Sequence, residues 1–370
     1  MSALETLRKS VKDPQKIAGE AKAAGKKVLG YRCVFMPEEI LHAAGIVPFP
    51  VFGTPEAVSL SDAYFQPNLC EFIRNIFDLA LKGKLDYLDG LVLCNTCDAV
   101  RKLYDHWKAY IGSPVCYMIN NPQRQFTEAG LKYQYQELGE FRRAMETFAG
   151  KPVTDDALRD SIRLHNQTRS LLKQVYDFRK PDSPLLSGEE AMDVVMACMV
   201  LPKDRANALL KQLILELKQR ANPPPSHGPR IMVTGSIIDN PALIRMVEEV
   251  GGTVVADDLC TTTRYFWYSV DEGGDPLAAL ARHTTEKPVC ACMHPAEARL
   301  EYMMDLVKEY RVEGIIYFNL MYCDPFLYEG VMFKKKFEER GIPTILLETE
   351  HTPSGMGQLK TRVQAFLEML

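Results

Sequence analysis

Short apolar runs of strand length alternate with amphipathic helical segments over residues 31–119, stop, and resume after residue 229. A parallel sheet buried on both faces gives such continuous apolar strands, with a helix returning the chain between them. In the first block the expected strands are 31–35, 46–52, 88–93 and 114–119. Helices are expected from Met36-Pro37-Glu38-Glu39, within 61–82 and over 99–110, where Val100, Leu103, Tyr104 and Trp107 recur at helical spacing. Pro48 and Pro50 lack an N–H and push the second strand to a sheet edge. The second block predicts strands at 230–234, 253–256, 288–292, 314–320 and 343–347. Between about 126 and 220 long amphipathic segments follow one another without strand signals. Thr154-Asp155-Asp156 and Ser187-Gly188-Glu189-Glu190 are cap-like helix starts there. Ala221-Asn-Pro-Pro-Pro-Ser-His-Gly-Pro229 reads as a linker. The expected fold is therefore α/β, with two doubly wound parallel-sheet domains joined by a helical segment. The limits are 1–125 (N-terminal helices and first α/β domain), 126–225 (helical connector) and 226–370 (second α/β domain).

Composition removes several functions. The formal net charge is −4, and no dense Lys/Arg cluster with interleaved aromatics exists, so a nucleic-acid surface is not expected. No apolar run approaches the length of a membrane span. The first residues, Met-Ser-Ala-Leu-Glu-Thr-Leu-Arg-Lys, lack the apolar core of a signal peptide, and a cytoplasmic location is expected. Ten cysteines then call for a reason other than a disulfide framework, because the cytosol keeps thiols reduced. Cys116, Cys198 and Cys290 sit in apolar runs and read as small core residues. The others lie at strand ends or turns, where a ligand role is open.

Four such loops carry sulfur beside polar groups: Asn68-Leu69-Cys70 with Glu71 and Arg74, Cys94-Asn-Thr-Cys97-Asp98, Asp257-Asp258-Leu259-Cys260 with Arg264, and Met321-Tyr322-Cys323-Asp324-Pro325. Cys97 follows an apolar strand and precedes a helix, where free N–H groups favour the thiolate. Three cysteines meeting in one cleft would suit an iron–sulfur or zinc site. Cys94-x-x-Cys97 alone is unspecific: a redox pair or half a zinc site, with no second C-x-x-C or His pair to complete it. Cys290-x-Cys292-x-His294 has the residue types of a metal triplet, but its alternation with apolar residues also suits a core strand. No G-x-G-x-x-G, Walker loop or G-x-S-x-G occurs.

Taken in order, several stretches resemble the benzoyl-CoA reductase / 2-hydroxyacyl-CoA dehydratase family over nearly the whole length. They are Met36-Pro-Glu-Glu-Ile-Leu-His-Ala-Ala-Gly45, Asp62-Ala-Tyr-Phe-Gln-Pro-Asn-Leu-Cys70, Lys84-Leu-Asp-Tyr-Leu-Asp-Gly90 and Thr96-Cys-Asp98. Asp257-Asp-Leu-Cys260 with Arg264, Cys323-Asp-Pro325, and Leu347-Glu-Thr349 followed by Gly357-Gln358 continue the series. Length and the Gln66-to-Cys70 context are most similar to the smaller benzoyl-CoA reductase subunit. The resemblance implies a [4Fe-4S] cluster held by Cys70, Cys97 and Cys323, with Cys94 a neighbour and not a ligand and no role assigned to Cys260. It further implies an acyl-CoA substrate, a related catalytic subunit as heterodimer partner (a homodimer being the other arrangement), and a separate ATP-hydrolysing iron–sulfur activator. Aromatic ring reduction is the first reading. Dehydration of an (R)-2-hydroxyacyl-CoA is an alternative, as is a reductase holding a double-cubane [8Fe-9S] cluster without a CoA ester. A zinc- or thiol-bearing binding module is the competing reading outside the family.

Overall fold

Two four-stranded, wholly parallel sheets carry the chain. The computed structural model describes residues 1–225, 228–352 and 355–370, so Ser226 and His227 of the expected linker lie outside the described residues. The first sheet holds β1 (Val28–Arg32), β2 (Val47–Pro50), β3 (Gly90–Cys94) and β4 (Val115–Ile119) in the order β2-β1-β3-β4. The second holds β5 (Arg230–Gly235), β6 (Thr253–Asp258), β7 (Gly314–Leu320) and β8 (Thr344–Thr349) in the order β6-β5-β7-β8. The order is the same in both. In each sheet the winding direction reverses between the first and third strands, which opens a crevice at their C-terminal ends. The protein is thus an α/β fold with two doubly wound domains, and the proline-bearing β2 is an edge strand as its composition requires.

Two strand expectations need correction. β1 spans Val28–Arg32, three residues earlier than the 31–35 expectation. Gly30 belongs to the strand, paired with Phe49 and Leu91, and its neighbours leave no room for a side chain: a Cβ there would stand 2.7 Å from Leu88 Cδ1 and 2.9 Å from Val51 Cγ2. The strand stops at Arg32 because Cys33 turns to φ 124, a value that L residues rarely adopt. The expected strand at 288–292 does not form. Val289 N bonds Lys287 O and Met293 N bonds Cys290 O, both local turns. Pro288 and Pro295 bracket the run and supply no N–H to a ladder. The segment is held instead by a lone bridge from His294 to Arg124 and by Gln125 Nε2 donating to Lys287 O at 2.8 Å.

The strand-free stretch is four helices, Glu128–Ala149, Asp155–Asp177, Gly188–Val200 and Lys203–Lys218. Thr154 and Ser187 cap the second and third, and Ser187 forms a reciprocal box with Glu190. Gly188–Val200 is apolar almost all round, and every residue except Glu189 is buried. It packs on β2 of the first sheet and β6 of the second, and against the N-terminal helix Ala3–Lys12. The middle helices therefore share one apolar core with both sheets.

Candidate functional site

Parallel strands end on one edge, and the residues just beyond those edges meet in a cavity of ≈ 490 Å³. Cys33 follows β1, Thr96 and Cys97 follow β3, Ile237 follows β5, Cys260 follows β6, and Tyr322 and Cys323 follow β7. The cavity thus belongs to both domains and lies at both switch points, the ligand edge of open α/β sheets.

Cys70, Cys97 and Cys323 occupy one kind of position in it. Each is the N-cap of a helix: Glu71–Leu81, Asp98–His106 and Asp324–Glu338 respectively. None makes a formal side-chain capping bond, yet the N–H groups of Ile73, Val100 and Phe326 act on the three sulfurs and favour the thiolate. Burial opposes them, and the Cys97 thiol is pushed up to about 12. The Cys70 and Cys323 thiols act on one another: Cys70 is lowered to about 7, chiefly by the interaction with Cys323, and Cys323 is raised by the same interaction and by burial. Tyr322, at φ 63, makes the left-handed turn that aims Cys323 inward.

Four further cysteines, Cys33, Cys260, Cys290 and Cys292, line the same cavity. Cys33 pairs with the wholly buried Cys94, which does not reach the cavity; that bond is the main cause lowering Cys33 to about 7. The strained φ of Cys33 is held by the surrounding structure, the kind of backbone outlier that marks functional sites. Cys290 and Cys292 form the third thiol pair, with Cys292 raised as donor. Cys260 is fixed by its loop: Arg264 Nη1 stands 3.7 Å from its sulfur and pairs with Asp258 through Nη2 at 2.8 Å. Asp258 also takes Arg299 Nη2 at 2.6 Å, and these two guanidiniums overcome burial and hold its carboxyl well below the usual range. The Asp257-Asp258 pair is thus buried framework beneath the site, with Asp257 bonded to Arg179 at 2.5 Å.

The structure therefore brings Cys70, Cys97 and Cys323 together, and adds Cys290, Cys292 and Cys33. Cys290 is buried in the apolar core, as expected, but it also lines the cavity, and the strand expected around it is absent because residues 288–292 are irregular. Cys198 is wholly buried and pushed up to about 12 by burial, in agreement with a packing role. Cys33 fell inside the strand expected at 31–35, and only the corrected end of β1 at Arg32 puts it at the strand's end. Arg32, which also lines the cavity, had no signal in the sequence.

Among the described residues no three His, Cys, Asp or Glu side chains gather round one point as a single metal ion requires. Polynuclear iron–sulfur groups make a different demand, one thiolate for each of several separate irons, so their sulfurs stand further apart. Soft donors at three positively polarised helix ends, in a cavity walled by Phe72, Ile73, Val100 and Phe326, fit such a group.

Residues 33–370 match the family model described as 2-hydroxyglutaryl-CoA dehydratase, D-component, and the chain belongs to this family of benzoyl-CoA reductase and 2-hydroxyacyl-CoA dehydratase subunits. It is 28% identical to the (R)-phenyllactyl-CoA dehydratase beta subunit of Clostridium sporogenes, over 97% of this chain and 96% of that one. It is 28% identical to one of the benzoyl-CoA reductase subunits of Thauera aromatica, over 93% and 91%. It is 27% identical to the beta subunit of (R)-2-hydroxyglutaryl-CoA dehydratase from Acidaminococcus fermentans, over 99% and 98%.

Proposed function

We propose that this chain is the iron–sulfur subunit of a low-potential acyl-CoA enzyme of the benzoyl-CoA reductase type, with Cys70, Cys97 and Cys323 holding a [4Fe-4S] cluster. The observation that carries the reading is the convergence of three helix N-cap cysteines, from two domains, on one cavity. Such a cluster supplies single electrons at low potential. The chain's own residues do the rest. Helix ends favour the thiolates, Phe72, Val100, Ile237 and Phe326 limit water, and the Asp258–Arg264 pair fixes the Cys260 wall. A related subunit and a separate ATP-hydrolysing iron–sulfur activator complete the cytoplasmic enzyme. Dehydration of a 2-hydroxyacyl-CoA would use the same cavity.

A second reading has its own support. Seven of the ten cysteines line this cavity, four more than one three-cysteine cluster uses. Cys33, Cys260, Cys290 and Cys292 are enough to hold a second cubane, which favours a double-cubane [8Fe-9S] group. The test is to purify Cys70→Ala, Cys97→Ala and Cys323→Ala without oxygen and to measure iron and acid-labile sulfide. Each variant is expected to lose most of its cluster, while Cys198→Ala keeps it. Undiminished iron in all three would sink the assignment. About four irons per chain supports the single cubane and about eight the double one.

A further inference from the structure

Arg32 ends β1 and lines the cavity next to Cys33. Its guanidinium lies over the face of Phe72, 4.4 Å from the ring centre. Its Nε is buried without a hydrogen-bond partner, and among the described residues no carboxylate lies within ion-pairing distance of it.

Arg32 as a whole is half-buried, while the more deeply buried guanidiniums among the described residues are neutralised. Arg179 meets Asp257 at 2.5 Å, Arg169 meets Glu39 at 2.5 Å, and Arg264 and Arg299 share Asp258 at 2.8 and 2.6 Å. The buried acid on the Arg32 side, Asp239, is already engaged by His351 Nε2 at 2.8 Å and Gly53 N at 2.7 Å. A guanidinium cannot escape burial by losing its proton. Without a partner, its partial desolvation is a standing cost that a negative or electron-rich group in the cavity would offset. The polar amide and hydroxyl walls at hand, Gln66, Asn68, Thr96 and Gln123, are neutral, and the Arg32 charge acts without an ion-pair contact on the Cys33 and Cys260 sulfurs. Asp98 and Asp324 are exposed.

We propose that Arg32 binds the acyl oxygen of the substrate in this cavity. The ligand class is an acyl group offering either a carboxylate or a thioester carbonyl. A guanidinium fork grips a carboxylate with two parallel hydrogen bonds and a carbonyl with one or two N–H groups. Beside the cysteines it sets the acyl carbon against the redox wall, and its fixed charge strengthens the hold on that oxygen when the acyl group gains electron density. The acyl class rests on the function proposed above; the unpaired cation does not.

The experiment separates the two. Iron and sulfide are measured first on anaerobic wild type, Arg32→Gln and Arg32→Lys, and a failure of the cluster reading shows there. Calorimetric titration with benzoate and with S-benzoyl-CoA then reads binding without needing a cluster signal. Wild type is expected to bind at least one probe saturably. Arg32→Gln should bind it about 30-fold more weakly or worse, with Arg32→Lys between the two. A larger loss for benzoate identifies the carboxylate as the group held, and a larger loss for the thioester identifies the carbonyl. Equal binding by Arg32→Gln, no binding of either probe to wild type, or loss of iron in Arg32→Gln (the guanidinium then balancing the metal group) would each overturn the proposal.

Discussion

Asp258 ends β6 with its side chain fully buried, and its two oxygens receive Arg264 and Arg299. Arg299 also donates from Nε to Glu329 at 2.7 Å, and Glu329 accepts from Tyr317 Oη at 2.5 Å. Converting Asp258 to Asn leaves two cations without their shared anion. Asp258→Asn is therefore expected to cost about 3–5 kcal/mol of stability, read from denaturant unfolding against wild type. A change of midpoint no larger than that of Cys198→Ala would contradict it. Sequence alone marks Asp257-Asp258-Leu259-Cys260 as a polar loop at a strand end, but a buried ion-pair frame and a reacting pair of acids have the same residue types. Arg264 stands in the same loop, but the partners that distinguish them, Arg299 and Arg179, come from far along the chain. Cys290 and Cys292 show the opposite failure: the period-two alternation that signals a strand was present, and flanking prolines decided the backbone. Cys70, Cys97 and Cys323 were singled out together by the family resemblance; that each stands directly before a helix start is what the fold adds.

At the scale of elements, the helix beginning at Glu71, directly after Cys70, is tied to the segment after β8. Glu71 accepts from His351 N at 2.6 Å and from Thr352 Oγ1 at 2.7 Å. His351 Nε2 meets Asp239 at 2.8 Å, and Asp239 takes Gly53 N from the first domain. Burial alone would lower the His351 pKa, but Asp239 and Glu71 outweigh it and raise it above the ordinary 6.5. Burial alone would raise Asp239, but His351 overcomes it and holds the carboxyl below the ordinary 3.8. A raised histidine contributes fully below 6.5 and loses its contribution as pH climbs through the raised value. A depressed carboxylate contributes fully above 3.8 and loses its contribution as pH falls through the lowered value. The contact is thus strongest between 3.8 and 6.5. Thermal midpoints of wild type should fall from about pH 6 to about pH 9 more steeply than those of Asp239→Asn, which keeps an acceptor for Gly53. Parallel slopes would remove the ion pair as the cause. Most strands and helices were legible from apolar runs and caps, since each needs only its own neighbours. The contacts that join elements across the two domains have no such local signature.

The whole chain spans more than nine-tenths of three relatives, each of which is by name one subunit of an enzyme. Its middle helices pack into both sheets, so the two domains and the cavity between them form one working piece. The pairing of domains was legible in the sequence because the strand signals stop and restart; that helix Gly188–Val200 would touch both sheets was not, because an all-round apolar helix reveals burial but not against what. Electron count decides what such a piece needs. Reduction of an aromatic ring takes two electrons, while an iron–sulfur cluster passes them singly, so a second cluster-bearing subunit or a second delivery is required. Driving those electrons to low potential needs an energy source, and no nucleotide-binding loop is present in this sequence. We therefore expect acyl-CoA turnover only when the chain is combined with a related subunit and an ATP-hydrolysing iron–sulfur activator. The measurement is an anaerobic assay of benzoyl-CoA reduction and of 2-hydroxyacyl-CoA dehydration, with the second subunit, the activator and ATP each omitted in turn. Full turnover by this chain alone would contradict both requirements. Turnover that needs activator and ATP but no second subunit would leave a homodimer as the working form, the commonest symmetric arrangement of soluble chains.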